Sequence, residues 1–272
     1  MQIYKPFKIL GQMIKQFHIH KNMIFLMALK TMQLQYVGTA GGGLWFILNR
    51  LSTVLVYWFI FSVGFKFTPG GDIPFILMFL CGWIPWMTFT DSLSSAAESI
   101  VNNQYLVKKT TFPTNILPLV HLLANLIAHG FMLIILLLVL IFNKFSFSIY
   151  NLQFLYYLFA LSIFCIGLGW FFSALNTIHK DIGQGLRVIL NIWFWLTPVV
   201  WTQGMIPEKY LTFIQLNPMY YIVEGYKYSF IYHIPFWQDI FLMGYFWVVC
   251  LATLLGGSYL FEKLRWDFPE VL

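Results

Sequence analysis

The chain has 272 residues and a formal net charge of +6, and 60% of its residues are hydrophobic while only 10% are charged. A soluble domain carries about 25% charged residues, so this composition excludes an ordinary soluble protein and indicates an integral membrane protein. The cations are spread along apolar segments and form no basic run. That distribution argues against nucleic-acid binding and fits positive charge beside membrane helices.

The N-terminal residues predict an amphipathic helix, with apolar positions at helical spacing and lysines on the opposite side. The apolar positions are Ile3, Phe7, Leu10, Ile14 and Phe17. Such a helix either lies in the inner membrane surface or packs, as a soluble helix, on a partner protein. The segment has neither the continuous apolar run nor the small-residue cleavage site of a signal peptide.

Six later segments are apolar enough to cross a bilayer, which takes about 20 mostly apolar residues. They are approximately residues 44–65, 74–94, 117–142, 150–175, 186–203 and 239–261. These runs are too long for β-barrel strands and lack the polar–apolar alternation of such strands. The sequence therefore predicts an all-α integral membrane protein with six transmembrane helices.

The lysines and arginines predict the orientation, because cytoplasmic loops carry the excess of positive residues. With the N-terminus inside, most cations fall on the inner side. The cations left outside are Lys66, Lys144, Lys209 and Lys227. The prediction is a membrane domain at 44–261, with a cytoplasmic N-terminal region at 1–43 and a cytoplasmic tail at 262–272.

Two connecting segments have a character of their own. Residues 97–118 are too polar to cross and long enough for a short helix and a turn, so they form either a tethered loop or a cytoplasmic docking helix. Residues 204–238 are apolar but interrupted by prolines. We expect two short re-entrant helices there, at about 207–216 and 219–231, since such backbone survives only where protein or a wet cavity satisfies it.

Catalytic and nucleotide-binding patterns are absent from the sequence. It has no GxxxxGK[ST] motif, so we expect no ATP site and no cofactor on this chain. The glycines of "GLGWFFSAL", from Gly167, indicate helix packing instead. The cysteines, Cys81, Cys165 and Cys250, lie in apolar segments and are interpreted as small buried residues. Neither a metal site nor a hydrolytic triad is expected.

A few charged residues in or near the spans are candidates for function. Arg50 either snorkels toward the inner interface or faces a polar pathway, where its guanidinium would hold phosphate. Asp91 and Glu98 lie seven residues apart at the inner end of the second span and are interpreted as interface markers. Glu224 is a candidate for a buried polar contact with Lys227, three residues on.

Aromatic residues make up 20% of the chain and cluster toward the predicted outer side. The candidates are Trp193, Trp195, Trp201, Tyr220, Tyr221 and Tyr226. They form either an interfacial belt or, because aromatic faces stack on sugar rings, the lining of an exit for a polar chain together with Glu224.

The order of several motifs resembles the membrane subunits of polysaccharide-exporting ABC transporters of the ABC-2 type, the group of TagG/TarG, Wzm and KpsM. The motifs are "YVGTAGGGLWFILN", "LVKKTTFPTNILP", "LNTIHKDIGQ", "WFWLTPVVW" and "LNPMYYIVEGYKYSFIY". The external motif and the length are most similar to the teichoic acid exporter TagG/TarG. One departure is Asn49-Arg50, where the family usually has Asn-Pro.

The resemblance implies a homodimer of this chain with two copies of a separate ATPase that binds ATP and Mg²⁺, in the cytoplasmic membrane of a bacterium. Segment 98–112 would be the coupling helix, with Glu98, Asn102, Tyr105, Lys108, Lys109 and Phe112 facing the ATPase. The N-terminal helix would be a gate helix and the two short external helices an outer gate. The cargo would be a polymer on a polyprenyl pyrophosphate lipid.

Within this interpretation, the three glycines Gly41, Gly42 and Gly43 predict a hinge, because glycine is free of the usual limits on φ and ψ. Trp45 and Arg50 would lie at the inner mouth, where a pyrophosphate head would arrive. We expect wall teichoic acid as cargo, with O-antigen or capsular polysaccharide as the alternative and a drug or lipid exporter as a weaker one. A secondary transporter would need acidic residues deep in the spans.

Overall fold

A computed structural model describes residues 4–34, 44–66, 73–109 and 112–272. Within these ranges the chain is helical and contains no strand. The α-helices are α1 (Tyr4–Ile19), α2 (Lys21–Leu34), α3 (Leu44–Trp58), α4 (Phe75–Glu98), α5 (Gln104–Val107), α6 (Leu117–Phe142), α7 (Phe154–Ile178), α8 (Asp181–Leu196), α9 (Glu208–Gln215), α10 (Pro218–Lys227), α11 (Ile240–Leu264) and α12 (Phe268–Val271). A π-helix, Phe59–Gly64, extends α3, and another, Tyr228–Tyr232, extends α10.

Helix α4 lies at the centre of the subunit. It packs against α6, α7, α8 and α10, and most of its side chains are buried. Helix α11 packs along α7 at the periphery, and much of its surface faces outward, as expected for a helix that contacts lipid. All three cysteines are buried, which confirms their interpretation as small packing residues.

The described residues contain four helices that are long and apolar enough to cross a membrane: Phe75–Glu98, Thr114–Phe142, Ile149–Ile178 and Ile240–Leu264. They coincide with the predicted second, third, fourth and sixth spans. The predicted first and fifth spans correspond to shorter helices, Leu48–Gly64 and α8. Helix α8 has 16 residues, so it is about 24 Å long against about 30 Å of hydrocarbon. The complete six-span topology and the cytoplasmic termini therefore stay predictions.

Glycines permit a close backbone contact between α7 and α11. A Cβ atom built on Gly257 would lie 2.0 Å from the carbonyl oxygen of Gly167, and one on Gly167 would lie 2.7 Å from the backbone nitrogen of Leu254. Only glycine at both positions lets the two backbones approach this closely. The predicted packing role of the Gly167 motif is confirmed.

The N-terminal region contains two helices where the sequence predicts one. Helix α1 packs against α11 through Ile9, Leu10 and Met13, while Phe7 and Phe17 of the predicted apolar face stay exposed. The stripe buried within the chain thus lies beside the predicted apolar face, whose contact with a membrane or a partner stays a prediction. Helix α2, which the sequence analysis missed, packs against α6.

The C-terminal tail also folds. Phe268 at the start of α12 is fully buried against Phe261 of α11, with the ring centroids 5.4 Å apart. The predicted tail 262–272 is therefore partly an extension of α11 and partly a packed helical turn.

Candidate functional site

An aromatic groove lies between α3, α4 and α8. It encloses about 520 Å³ and is lined by Tyr57, Trp83, Trp86, Phe194 and Trp195. The rings support one another: Trp83 meets Phe194 edge-on at 5.9 Å and packs against Tyr57 at 5.9 Å. Such edge contacts hold aromatic rings in fixed orientations, so their exposed faces form a pre-organised apolar surface.

Polar side chains line the same groove toward its predicted cytoplasmic end. They are Thr90 and Ser94 of α4 and Arg187 and Asn191 of α8. The groove thus combines ring faces with hydroxyl, amide and guanidinium groups, all placed on helices. Ring faces with a few fixed polar groups are what a chain of sugars requires, because sugar rings present both C–H faces and hydroxyls.

Two ion pairs connect the walls of the groove to α4. The Arg50 guanidinium on α3 donates to Asp91, with Nη2 3.0 Å from Oδ2, and Arg187 on α8 pairs with Glu98. Asp91 and Glu98 lie seven residues apart, two helical turns, so both face the groove side of α4. Each of the two flanking helices is therefore attached to the central helix by an ion pair.

These pairs correct two interpretations from the sequence. Both alternatives for Arg50 treated it as an uncompensated cation, but only 13% of its side chain is exposed and it is bound to Asp91. Asp91 and Glu98 are inter-helix partners and not simple interface markers. The sequence alone could not predict these ion pairs, because the partners are 41 and 89 residues apart along the chain.

A buried non-helical segment follows α8. Helix α8 ends at Leu196, and Thr197, Val199 and Val200 are buried without helical structure. The Lys227 ammonium donates to the carbonyl of Pro198 at 2.6 Å. Lysine at a helix C-terminus satisfies carbonyls that have no partner in the helix.

Lys227 is itself paired within α10. Its Nζ lies 2.8 Å from Oε1 of Glu224, and 1% and 6% of the two side chains are exposed. The predicted buried contact of Glu224 with Lys227 is confirmed. Lys227, one of the four predicted outer cations, is therefore buried within the protein.

Asn217, which the sequence analysis missed, connects α8 to α10. Its Oδ1 accepts from Trp193 Nε1 at 2.7 Å and from the backbone of Met219, and its Nδ2 donates to Thr197 Oγ1 at 2.8 Å. The Asn-Pro pair at 217–218 was the available signal, since Asn favours the N-cap and Pro the first helical position. This network fixes Trp193 beside the groove.

The tyrosines of α10 do not share one role. Tyr226 is fully buried, and its hydroxyl lies 3.0 Å from His129 Nε2, whose Nδ1 lies 2.8 Å from Thr88 Oγ1. Tyr226 therefore lies in the core of the subunit, away from the predicted exit. Tyr220, Tyr221 and Glu224 line a separate outer cavity.

A sequence model of the family described as "ABC-2 type transporter" matches residues 23–231. This match covers most of the chain and includes the groove, its ion pairs and α10. The chain belongs to the ABC-2 type transporter family. The resemblance stated from the motifs is thereby confirmed at the level of the family.

The chain is similar to curated proteins that export polysaccharides. The O-antigen export system permease protein RfbA of Klebsiella pneumoniae is 25% identical over 257 residues, covering 92% of this chain and 95% of the relative. RfbA of Myxococcus xanthus is 24% identical over 264 residues, covering 95% and 98%. The polysialic acid transport protein KpsM of Escherichia coli is 24% identical over 210 residues, covering 76% and 81%.

In this ABC-2 chain the predicted coupling segment forms a short 3-10 turn and α5. Asn102, Tyr105, Lys108 and Lys109 are exposed, and Lys109 Nζ lies 4.4 Å from the ring centre of Tyr105. Phe112 is half-buried. Ile100 and Val107 of this segment are buried and fix its position on the rest of the protein. Its polar and aromatic side chains are therefore held at the surface in a defined place.

The predicted inner gate is only partly described. Gly41, Gly42 and Gly43 lie outside the described residues, so the hinge stays a prediction. Trp45, in the first turn of α3, is about half exposed. Along α3 one side chain, Val54, is buried among those described, which leaves this helix with a broad outward face.

Proposed function

We propose that this chain is the membrane subunit of an ATP-driven exporter, and that two copies form a pathway for a polyprenyl-pyrophosphate-linked polysaccharide. The observation that carries the proposal is the aromatic groove between α3, α4 and α8, with its polar side chains and the ion pairs that attach its walls to α4. The names of the relatives, which are O-antigen and polysialic acid exporters, support a polysaccharide as cargo.

The homodimer is supported by the outward faces of the two helices that flank the groove. Leu55 and Val56 of α3, and Val188 and Ile192 of α8, are each more than half exposed in the subunit. A second copy placed against these helices would cover the apolar side chains and join two grooves into one enclosed pathway. The symmetry of such a dimer would place the same residues on both walls.

The energy source in this proposal is a separate ATPase bound at the cytoplasmic side. The exposed Asn102, Tyr105, Lys108 and Lys109 would be the contact surface, with Glu98 and Phe112 at its two ends. Glu98 has a second role there, because its partner Arg187 lies in the wall of the groove. Movement of the coupling segment would therefore reach α8 directly.

The paired arginines bear on the choice between a phosphate-rich polymer and other polysaccharides. Arg187, the cation among the described lining residues of the groove, pairs with Glu98, and Arg50 beside the groove pairs with Asp91. Neither guanidinium is therefore a free countercharge for a polyanion. We therefore favour an O-antigen-type polysaccharide over wall teichoic acid, the cargo predicted from the resemblance to TagG/TarG.

Depletion of the chain in its host tests the proposal. We expect surface polysaccharide to fall while lipid-linked polymer accumulates inside, with neutral sugars lost and wall phosphate unchanged. Loss of wall phosphate with internal accumulation would keep the export function but identify teichoic acid as cargo. Unchanged surface polymers of both kinds, with complementation shown to restore expression, would contradict polysaccharide export. The matched control is the same strain complemented with the wild-type chain.

A further inference from the structure

A second cavity lies at the predicted outer side, and it shares no lining residue with the groove. It encloses about 450 Å³ between α10, the segment that follows it and the first turn of α11. A volume of this size lies in the range of small-molecule sites, which is roughly 300–1,000 Å³.

Aromatic side chains supply the walls of this outer cavity. Tyr220 and Tyr221 of α10, Tyr228 of the following π-helix and Phe236 all reach it. Phe236 is held by a stacked contact with Tyr156, with ring centres 4.3 Å apart. The cavity therefore has fixed ring faces together with phenolic hydroxyls.

Amides and carboxylates supply the polar part. Gln203, Gln215 and Gln238 reach the cavity from three different segments, and Glu224 and Asp239 complete it. An amide side chain offers both donors and acceptors, and a carboxylate offers acceptors only. Each hydroxyl of a sugar can both donate and accept a hydrogen bond, so adjacent sugar hydroxyls can pair with amides and carboxylates.

No lysine, arginine or histidine lines the outer cavity within the described residues. The ammonium that pairs with Glu224 belongs to Lys227, which also reaches the Pro198 carbonyl and is not among the lining residues. Asp239 accepts from the backbone of Leu242 at 3.0 Å as the N-cap of α11. Among the lining residues an anionic ligand would meet the Asp239 carboxylate, a Glu224 carboxylate that is already paired with Lys227, and no cation. The cavity therefore disfavours phosphate and carboxylate groups.

We propose that the outer cavity binds an uncharged or amino-bearing sugar unit, through ring stacking and hydrogen bonds from the glutamines and tyrosines. The inference rests on the proposed function for the source of the sugar, which is the polymer leaving the groove. Its location beside α9 and α10 makes it a second point of contact for the polymer at the outer surface. The cavity would thus select cargo by charge independently of the groove.

Direct binding to the subunit, purified with its ATPase in lipid nanodiscs, tests this site. The probes are methyl glucoside, N-acetylglucosamine, glucosamine and glucose 6-phosphate, titrated with saturation-transfer NMR. We expect saturable binding of at least one of the first three, and binding of glucose 6-phosphate about tenfold weaker. The double variant Gln203→Met/Tyr228→Phe keeps side-chain volume but loses two hydrogen-bonding groups, and should weaken binding about tenfold.

Two controls separate this site from the groove and from misfolding. Tyr259→Phe removes a hydroxyl from a half-exposed position on α11 away from the cavity, and should leave binding unchanged. Leu242→Trp fills the cavity without removing a polar group, and should abolish the same binding while the thermal unfolding of the complex is retained. Loss of binding in both cavity variants supports the site.

Three results would overturn the inference: no saturable sugar binding by the wild type, equal binding by wild type and both cavity variants, or tighter binding of the phosphate ester. Failure of the proposed function looks different. Depletion could leave surface polysaccharide unchanged while the cavity variants still lose sugar binding. That result would support the sugar site and contradict the proposal of polysaccharide export.

Discussion

Replacing Asp91 with Asn removes the carboxylate that pairs with Arg50 and leaves a largely buried guanidinium without its countercharge. The atoms are 3.0 Å apart, which corresponds to about 5–6 kcal/mol of Coulomb attraction at an effective dielectric constant of about 20. Desolvation and the 42% exposure of the Asp91 side chain oppose this gain. We therefore expect a net coupling of about 1–3 kcal/mol.

A double-mutant cycle measures this coupling. Asp91→Asn and Arg50→Gln are made singly and together, and the free energy of unfolding of the reconstituted protein is measured by chemical denaturation. The double variant should cost about 1–3 kcal/mol less than the sum of the single variants, because it removes both charges. Export should fall most in Asp91→Asn, which removes the carboxylate and keeps the arginine, and recover partly in the double variant.

The matched control is the Arg265–Glu262 pair, which lies at the C-terminal end of α11 with its atoms 2.9 Å apart. Neutralising it should change stability by less than about 1 kcal/mol and leave export unchanged, because pairs three residues apart on a helix contribute little. Additive costs for Arg50 and Asp91 would refute the reasoning, since they would mean that the two charges do not interact.

Gly257→Ala should destabilise the protein by about 1–3 kcal/mol, because the added Cβ meets the backbone of the facing helix; thermal unfolding checks this. Gly256→Ala, with no atom near its Cβ, is the matched control and should be neutral or slightly stabilising. Lys227→Met should cost about 3–5 kcal/mol, because it leaves a buried carboxylate without its partner; full stability in denaturant would contradict this. Trp195→Leu should lower export several-fold while assembly persists, because this exposed ring lines the groove. The control is Trp266→Leu, which replaces another exposed tryptophan and should not change the amount of exported polymer.

The long spans could be predicted because membrane insertion depends on local hydropathy, which a single sequence contains. Helix α2 could not, because "KNMIFLMALKTMQL" is neither long enough to span nor clearly amphipathic. Its helical state depends on packing against α6, which is tertiary information. The burial of Ile9 and Met13 of α1 was missed for the same reason, since it depends on packing against α11.

Within the candidate site, local pairs were predictable and distant pairs were not. Glu224 and Lys227 lie on adjacent turns of one helix, so their spacing predicted their contact. Arg50 and Asp91 belong to different helices, and nothing in either segment indicates the distance between them. Tyr226 was grouped with Tyr221 because both are aromatic, although only the packing shows that Tyr226 lies in the core.

Photo-crosslinking of polymer in transit tests the central claim, that the groove between α3, α4 and α8 carries the polysaccharide. A photoreactive residue is placed at Asn191 in the groove or, as control, at Val248 on the outward face of α11. The account predicts that polymer attaches at position 191 during ATP-driven export and not at 248. Attachment at 248 and none at 191, with both variants exporting normally, would contradict it.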